Sequence, residues 1–449
     1  MEQLKSVAVL GAGGKMGSGI AWVALRAMAE ADARAHGIPG SGEYALTLID
    51  ADSAAFRRLR EYLRGQLVKA AEKGINDLRL WAKDRADLIE NREIIDAYVE
   101  GAMGMIRFAS GASEAKGARL VFEAIFEDLG IKRAVYSHLK SVCGPDTVFL
   151  TNTSSIPIGL LDESAGLDGR ILGFHFYNPP AVQKLVEMIS GKRTRPEVVA
   201  LGRELGKAFG KTVVPSNDVA GFIGNGHFIR ELLFAMSKYR ELRREWSEPE
   251  AWYLLDKVTR EFLVRPMGLA QLMDYVGLDV FKMITRVMRE YLADPAFADE
   301  TLDRLLAEGI RGGQLGSGEQ KDGVLRYQKN KPAAVLANAA LPEGNRYVSL
   351  AEPGRFAKAD TWLGAPPEGH ALWSAMSKDP ARATKLETYL AALAQAEGNG
   401  ARLAREFLTH SRAVGQGLVR DGVAATPEDV GSVLKHGFFH LYAPSDWNG

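Results

Sequence analysis

The chain has 449 residues, of which 46% are hydrophobic and 25% charged, an ordinary composition for a globular protein of roughly two to four domains. Equal numbers of basic and acidic side chains give a formal net charge of zero, which argues against a nucleic-acid or anionic-membrane surface. The single cysteine, Cys143, excludes an intrachain disulfide, and no run approaches the ~18 apolar residues of a membrane span. With no signal-peptide pattern either, we expect a cytoplasmic protein without a membrane segment.

The N-terminal stretch SVAVLGAGGKMGSGIA predicts a strand, a glycine-rich turn and a helix, the order that a dinucleotide-binding turn requires. Gly11 would allow the tight turn, and Gly13 would let the backbone approach a pyrophosphate at the helix N-terminus. The usual third glycine is replaced by Met16, and the nearest candidate, Gly17, comes one residue late. A loop that merely needs small residues is the alternative interpretation.

A second predicted strand, Ala45–Ile49, ends in Asp50. An acid at this point would accept hydrogen bonds from the adenosine ribose hydroxyls and would repel a 2′-phosphate. The connection before this strand is long, so Asp50 lies further from the glycine loop than usual. Strand, helix and terminal acid together favour a site for NAD rather than NADP.

Residues 56–98 are strongly charged, with apolar residues at helical spacing, and they predict two solvated helices in a hairpin. Their basic side chains could meet a phosphorylated carrier, or they could form a plain solvated face. Short apolar strands then alternate with helical segments, which predicts an α/β domain with a largely parallel sheet covered on both faces. The predicted strands are 120–124, 147–151, 171–176, 185–189 and 211–214. Ligands in such sheets bind at the carboxyl ends of the strands, where polar residues fall in this sequence.

Two ionisable residues stand inside apolar runs that read as buried strands, His175 in GFHFYN and Glu187 in LVEMI. Burying either alone is costly, because desolvation disfavours the charged form. Two strands joined by a short loop could bring them together, and a carboxylate on an imidazole is typical of sites built for proton transfer. The alternative is two unrelated residues, one satisfied in the core and one exposed. No cluster has metal-ligand spacing, so we expect no metal site.

From about Ser216 the sequence predicts helices with little β patterning, hence an all-α second part. The segment that begins at Ser247 is echoed by the segment that begins at Thr426, since each can cap a helix whose first turn holds Pro and Glu. We therefore predict a Rossmann-like domain over 1–215 and a helical domain over 216–330. A Pro/Gly/Ala-rich linker over 331–380 and a degenerate second helical copy over 381–449 would follow.

The motifs VLGAGGKMGSGIA, LIDAD, VFEAIFEDLGIK, TNTSS, GFHFYNPPAVQKLVEMI, FGKTVVPSNDVAGFIGN and RPMGLAQLMDYVGLDV together resemble the L-3-hydroxyacyl-CoA dehydrogenase family. The resemblance spans most of residues 5–330 and implies oxidation of a 3-hydroxyacyl-CoA by NAD. It implies catalytic roles for His175, Glu187, Ser154 and Asn225. It implies cofactor contacts for Gly11, Gly13, Gly14, Met16, Gly17, Asp50, Glu127, Lys132, Asn152 and Asn178.

The residues by themselves leave other interpretations open. Ser154 could cap a helix, Asn225 could be a turn residue, and Asn178 could belong to a rigid loop. His138 and His227 are interpreted as structural. Gly226 departs from the family, which usually has arginine there. The segment GGQLGSGEQKDGVLRYQ matches the lysine- and glycine-rich closing segment of the family only weakly.

The resemblance also implies an acyl-CoA substrate, and the repeated helical segment resembles the duplicated domain of larger β-oxidation relatives. A monomer or a homodimer is expected on this basis. Two other functions stay open: oxidation of a small hydroxy acid, such as a sugar acid or carnitine, and a non-catalytic NAD-binding role. The intact set of proposed catalytic residues argues against the last of these.

Overall fold

The computed structural model describes residues 1–315, 318–337 and 346–449. The chain divides into two compact units, Met1–Asp218 and Val219–Gly449. The division falls a few residues beyond the predicted domain end at 215, at the end of the last strand of the first unit. Among the described residues, no helix is both long enough and apolar enough to cross a membrane.

The first unit is built on one eight-stranded sheet in the order β3-β2-β1-β4-β5-β6-β7-β8. Its strands are β1 (Ser6–Leu10), β2 (Ala45–Ile49), β3 (Ile106–Ala109), β4 (Leu120–Glu123), β5 (Val148–Thr151), β6 (Ile171–Phe176), β7 (Leu185–Ser190) and β8 (Thr212–Asn217). All neighbouring strands pair in parallel except β6 and β7, which are antiparallel. The predicted α/β fold with a largely parallel sheet is confirmed. The strand order reverses direction between β1 and β4, and such a switch point opens a ligand crevice at the carboxyl ends of the strands.

Helices cover this sheet, which explains why its central strands read as continuous apolar runs with every residue buried. The helices of the first unit are α1 (Lys15–His36), α2 (Ala55–Lys73), α3 (Ile75–Trp81), α4 (Asn91–Gly104), α5 (Leu129–Val142), α6 (Ile158–Ala165) and α7 (Pro196–Ala208). The stretch 56–98, which the sequence predicts as two helices, forms three, α2 to α4. The long helix α2 buries Leu59, Leu63 and Leu67 along one stripe, so its many charged residues lie on the opposite face.

The second unit is mainly helical, as predicted. Its helices are α8 (Gly224–Leu242), α9 (Glu248–Lys257), α10 (Leu269–Val276), α11 (Leu278–Tyr291), α12 (Glu300–Ala307), α13 (Ala357–Leu363), α14 (Trp373–Met376), α15 (Arg382–Gln395), α16 (Asn399–Arg420) and α17 (Pro427–Gly437). Ser247 and Thr426 do begin the two echoed helices. In each case the carboxylate three residues later, of Glu250 or Asp429, accepts the capping residue's backbone N–H, at 3.0 Å and 3.1 Å.

A small antiparallel sheet departs from the all-α expectation for this unit. Its strands are β9 (Leu325–Gln328), β10 (Lys331–Leu336) and β11 (Tyr347–Ser349), in the order β11-β10-β9. Two of these strands and two short helices lie in the stretch 331–380, which the sequence analysis expects to be a linker. The buried carboxylate of Asp274 accepts the backbone N–H groups of Val324 and Leu325, at 2.7 and 2.8 Å, and so ties the sheet to α10. Because β9 pairs with β10, the described strands of this stretch are joined to α10 through the same sheet.

A π-helical turn follows α9 at Val258–Phe262, and Val264 just beyond it has a positive φ of 47°. We call residues 258–264 the carbonyl turn. Three successive carbonyl oxygens of this turn accept hydrogen bonds from side chains of the C-terminal half of the unit. Glu261 accepts from His370 at 3.0 Å, Phe262 from Tyr389 at 2.8 Å and Leu263 from Tyr442 at 2.7 Å. Since a wide turn leaves backbone carbonyls outside the regular helical ladder, these donors satisfy groups that burial would otherwise penalise.

A buried polar cluster lies inside the second unit. Arg265 donates two hydrogen bonds to Glu231, at 2.8 and 3.1 Å, and both side chains are almost fully buried. His227, which the sequence analysis interprets as structural, is also fully buried, and its Nε2 lies 3.0 Å from Oγ of Ser411. Burial, together with the nearby charge of Arg265, lowers the pKa of His227 to about 4. This histidine is therefore neutral in the folded protein at neutral pH.

Acid is expected to destabilise the protein through this histidine. The unfolded chain binds a proton at His227 below about pH 6.5 whereas the folded chain does not until about pH 4, so stability falls as the pH falls through that window. The free energy of unfolding should drop by about 1.4 kcal/mol per pH unit for this one group. Urea titrations between pH 6 and pH 5 should show a shallower dependence in His227→Gln. The exposed His138, changed to Gln, should keep the wild-type dependence, and equal slopes in all three proteins would contradict the assignment.

Candidate active site

The glycine loop between β1 and α1 places bare backbone at the switch point of the sheet. Gly11 has a φ of +73°, and a Cβ there would lie 2.4 Å from the carbonyl oxygen of Ala124. A Cβ on Gly13 would lie 2.6 Å from Cβ of Ala55. Gly11 and Gly13 therefore leave no room for a side chain, and bare backbone faces the switch point at these two positions.

Gly17 takes the packing role of the third glycine in the loop. A Cβ at this position would lie 2.0 Å from the carbonyl oxygen of Gly11, so only glycine lets α1 approach the turn this closely. Met16 points toward the core of the unit, where it packs as a partly buried side chain. No side chain caps α1, whose N-cap residue is Gly14. The late glycine thus keeps the helix N-terminus against the turn, where N–H groups and the helix dipole suit an anion.

Asp50 lies directly after β2 and closes the other side of the loop. Its Oδ2 accepts the backbone N–H of Gly13 at 2.8 Å, and its Oδ1 accepts that of Asp52 at 2.9 Å. The side chain is partly buried at the rim of the crevice. A carboxylate held in place by the loop backbone retains lone pairs for a ribose hydroxyl.

A single uncharged replacement should test this assignment. Asp50→Asn keeps the size and one acceptor oxygen, which can still accept the Gly13 N–H, while the negative charge and the bond from Asp52 are lost. Because a charged acceptor binds hydroxyls more strongly and repels phosphate, the preference for NADH over NADPH should fall about tenfold or more. Fluorescence titration with both nucleotides measures the two dissociation constants. Asp52→Asn, an exposed neighbour, should leave the ratio unchanged, and an unaltered ratio in Asp50→Asn would contradict the role.

Glu123, the last residue of β4, is a buried carboxylate that accepts hydrogen bonds from several side chains, and the sequence analysis does not single it out. Its Oε1 accepts from Nζ of Lys132 at 2.6 Å, and its Oε2 accepts from the hydroxyls of Tyr136 at 3.0 Å and Thr151 at 2.7 Å. Glu123 is fully buried and Lys132 is 1% exposed. The only signal available in sequence was an acid at the end of an apolar strand, the same signal that drew attention to Glu187. Lys132 is therefore held by carboxylates inside the unit.

Glu127 is the second carboxylate on Lys132, with Oε2 and Nζ 3.3 Å apart. Its Oε1 accepts from the backbone N–H of Ser154 at 3.0 Å and from the hydroxyls of Thr153 and Ser155 at 2.5 and 3.2 Å. Burial alone would raise the pKa of Glu127, but the charge of Lys132 and these hydrogen bonds outweigh it and hold the pKa below its usual value. Glu127 therefore stays ionised and fixes the loop that carries Ser154.

The loop after β5 joins the site to two other elements. Oδ1 of Asn152 accepts the backbone N–H of Phe176 at 2.9 Å, so this predicted cofactor residue also ties the end of β5 to the end of β6. Further on, Asp218 accepts the backbone N–H groups of Ile158 and Gly159 at 2.5 and 2.7 Å and caps the start of α6. Ser154 lies between these two anchors, at a fixed place in the loop.

His175 and Glu187 come together as partners on adjacent strands. They are directly opposite one another in the antiparallel register of β6 and β7, so their side chains share one face of the sheet. Nδ1 of His175 lies 3.2 Å from Oε2 of Glu187. The Glu187 side chain is fully buried and that of His175 is 10% exposed. The alternative of two unrelated residues, one of them exposed, does not fit this geometry.

The carboxylate determines which imidazole nitrogen carries the proton. An ionised carboxylate only accepts hydrogen bonds, so we assign the hydrogen of neutral His175 to Nδ1 and the basic lone pair to Nε2. This is the tautomer that a general base requires, and the carboxylate stabilises the imidazolium that protonation creates.

Asn178 lies in the short loop between β6 and β7. Its Oδ1 is buried and has no hydrogen-bond partner among the described residues. Because a buried amide oxygen without a partner is costly, an external donor at this point would relieve that cost. The loop is held by Lys211, whose Nζ donates to the carbonyl oxygens of Pro180 and Gln183 at 2.5 and 2.7 Å.

Asn225 lies in the second unit, as the second residue of α8 and partly buried. The next position, where the resemblance leads us to expect arginine, is Gly226, and it lies close to α16. A Cβ on Gly226 would lie 3.0 Å from Cδ2 of Leu418 on α16, and the guanidinium of Arg230 already donates to the Gly226 carbonyl oxygen at 2.7 Å. A long side chain at 226 would have to displace this packing.

The residues of the first unit fit a dinucleotide. Gly11 and Gly13 keep the loop backbone bare, because a Cβ on either would clash with Ala124 or Ala55. Asp50 adjoins this loop, and Oδ1 of Asn178 is buried without a hydrogen-bond partner among the described residues. These residues would hold the pyrophosphate, the adenosine ribose and a polar group of the cofactor respectively. No group of three or more potential metal-ligating side chains comes together in the described ranges.

Comparison with known proteins identifies both parts of the chain at the level of domains. Residues 6–219 match the NAD-binding domain of 3-hydroxyacyl-CoA dehydrogenase, and residues 226–321 match the C-terminal domain of 3-hydroxyacyl-CoA dehydrogenase. The fatty acid oxidation complex subunit alpha of Shewanella oneidensis is 29% identical over 274 residues, which cover 61% of this chain and 38% of that protein. The chain thus matches well under half the length of these curated relatives.

Two solved structures extend the comparison. FadB2 of M. tuberculosis is 30% identical with a TM-score of 0.52, and the match covers 68% of this chain and 95% of that one. The 3-hydroxybutyryl-CoA dehydrogenase of Escherichia coli is 23% identical with a TM-score of 0.63 over 99% of this chain and 90% of that one, which shows the shared fold. With a nucleotide loop, an acid–histidine pair and matches to both domains, the chain belongs to the 3-hydroxyacyl-CoA dehydrogenase family, and its first unit is an NAD-binding domain.

Proposed function

We propose that this protein oxidises an L-3-hydroxyacyl-CoA to the 3-ketoacyl-CoA, with NAD as the hydride acceptor, in a β-oxidation type of reaction. The observation that carries the proposal is the buried pair of His175 and Glu187 in an NAD-binding domain. A module that only bound the cofactor would have no need of a proton acceptor oriented by a buried carboxylate.

The chemistry needs a base beside the C3 hydroxyl. NAD, when bound, supplies the acceptor for the hydride that leaves C3. Nε2 of His175 takes the hydroxyl proton as the carbonyl forms, and Glu187 stabilises the resulting imidazolium through Nδ1. Because both side chains are almost fully buried, water competes little for this proton. In the reverse direction, the imidazolium returns the proton to the carbonyl oxygen.

Ser154 and Asn225 complete the proposed catalytic set as hydrogen-bonding groups for the substrate oxygens. Neither has to act as a nucleophile, since hydride transfer needs no covalent intermediate. Ser154 is suited to this role because Glu127 fixes its backbone through the N–H bond at 3.0 Å. Asn225, the second residue of α8, has an amide that can both donate and accept hydrogen bonds.

Exposed positive charge on α2 supports the proposal of an acyl-CoA substrate. Arg57, Arg58 and Arg60 are exposed on this helix. Exposed arginines suit the phosphates of a CoA carrier. A free hydroxy acid of small size would have no use for this surface.

Comparing substrates in the reductive direction tests the proposal. With NADH as donor, acetoacetyl-CoA should be reduced with a far higher kcat/KM than acetoacetate or other free keto acids. The decrease in NADH absorbance follows the reaction. A preference for free acids would contradict the acyl-CoA assignment and would favour a dehydrogenase of small hydroxy acids. If NADH were not oxidised with any 3-keto substrate, a non-catalytic NAD-binding role would be favoured instead.

A further inference from the structure

A tyrosine stands next to the proposed catalytic pair, at a position that the family resemblance did not assign. Tyr177 comes directly after β6, two residues beyond His175. Since side chains on a strand alternate between faces, Tyr177 continues the face that carries His175. The two rings lie with centroids 5.0 Å apart. Glu187 is opposite His175 on β7, so Tyr177 is its diagonal neighbour and within reach of it.

The tyrosine and the histidine meet the same carboxylate oxygen. The hydroxyl of Tyr177 donates to Oε2 of Glu187 at 2.7 Å, and Nδ1 of His175 lies 3.2 Å from that oxygen. Burial, reinforced by the charge of Glu187, raises the pKa of Tyr177 well above its usual value. The hydroxyl therefore keeps its hydrogen throughout the working pH range and acts on the carboxylate as a donor.

We propose that Tyr177 is a positioning residue of the dehydrogenase reaction, which holds the Glu187 carboxylate with Oε2 facing the imidazole of His175. The terminal torsion of a glutamate is broad, so its orientation depends on the groups that bind its two oxygens. The bond from the rigid aromatic side chain of Tyr177, at 2.7 Å, is shorter than the 3.2 Å contact with His175 and restricts that torsion. The proposal rests on the proton-transfer role proposed above for His175 and Glu187.

The role concerns the chemical step rather than binding. The carboxylate is needed most when the imidazolium forms, because its charge then stabilises a positive ring. A carboxylate free to turn would stabilise that state less while leaving the binding of the acyl-CoA and of NADH as it was. Loss of the tyrosine hydroxyl should therefore lower kcat and leave KM unaltered.

The test is Tyr177→Phe, which removes one oxygen atom and keeps the ring. With acetoacetyl-CoA and NADH, kcat should fall about tenfold, while KM for the thioester and the dissociation constant of NADH stay within about twofold. If this variant does not fold, as judged by circular dichroism, Tyr177→Met lacks the same hydroxyl and replaces it.

A matched control is available in the second unit. The hydroxyl of Tyr239 donates to the buried carboxylate of Glu248, also at 2.7 Å, so Tyr239→Phe deletes the same kind of bond at a place with no proposed part in the reaction. Its kcat should equal that of the wild type. A double variant provides a second readout. In a Glu187→Gln background, Tyr177→Phe should cause little further loss of kcat, because the group that it positions is already gone.

The outcomes separate this inference from the proposed function. If His175→Ala keeps near-normal turnover, the proposed function fails and the inference fails with it. If His175→Ala is inactive but Tyr177→Phe turns over at the wild-type rate, only the inference fails. A loss that appears in KM rather than kcat, or one that adds fully to the loss in Glu187→Gln, also overturns the inference.

Discussion

Replacing His175 by alanine is expected to lower kcat by about 10²- to 10⁴-fold, the range that a positioned general base contributes. The reason is geometric, since Nε2 of this ring is the proposed proton acceptor and Glu187 holds the ring through Nδ1 at 3.2 Å. Steady-state assays with acetoacetyl-CoA and NADH measure the decrease in kcat. NADH should bind with unchanged affinity, because no proposed cofactor contact is removed.

The control for this prediction is His138→Ala. His138 lies on α5 with an exposed side chain that contacts Ser113, so its loss should leave turnover unaltered. Glu187→Gln should reproduce most of the His175 loss, because a neutral amide stabilises an imidazolium far less than a carboxylate does. Near-normal rates in either His175→Ala or Glu187→Gln would reject the assignment of the pair.

Replacing Lys132 by methionine is expected to lower the free energy of unfolding by about 3–5 kcal/mol, the cost of breaking a buried ion pair. Lys132 bridges Glu123 and Glu127, at 2.6 and 3.3 Å, and it is 1% exposed. Without the ammonium, Glu123 would remain as a buried charge that only neutral donors stabilise. Urea unfolding followed by circular dichroism at pH 7 measures the change.

An exposed lysine on the same helix is the matched control for Lys132. Lys140 lies on α5, 3.7 Å from Asp168, with a side chain that is 43% exposed. Lys140→Met should change the free energy of unfolding by no more than about 1 kcal/mol, as is usual for surface pairs. Adding Glu123→Gln to Lys132→Met should recover part of the loss by removing the unpaired charge. Equal stabilities for the two lysine variants would show that the buried network contributes little.

Much of the first unit could be predicted from sequence because its signals are local. A strand followed by glycines and a helix predicts the nucleotide turn, and apolar runs of four to six residues predict the strands that the sheet contains. The pair of His175 and Glu187 was also visible, because an ionisable residue inside an apolar run needs a partner. The antiparallel register of β6 and β7 then brings the two residues together, since the short loop between the strands places them opposite one another.

The features that the sequence does not predict arise where side chains that are far apart in the chain meet in the folded structure. Glu123 collects donors from residues 9, 13 and 28 positions further along the chain, and nothing local marks that meeting point. The sequence analysis does not predict the small sheet in the second unit, because β9 and β11 are only four and three residues long and β10, KPAAVL, begins with Lys and Pro and lacks apolar alternation. Tyr177 had no ionisable signal of its own, and only the paired strands bring its hydroxyl to Glu187.

The carbonyl turn of residues 258–264 shows that the C-terminal region is not a detachable module. The sequence pattern shared with the family's C-terminal domain ends at residue 321, yet the three side chains that bind this turn come from His370, Tyr389 and Tyr442. A protein trimmed to the shared pattern would lose these three side-chain donors in the middle of its own domain, and only Glu261 would keep a donor within the turn, the backbone N–H of Val264. The extra segment therefore serves as an internal brace, and attempts to shorten the enzyme should preserve it.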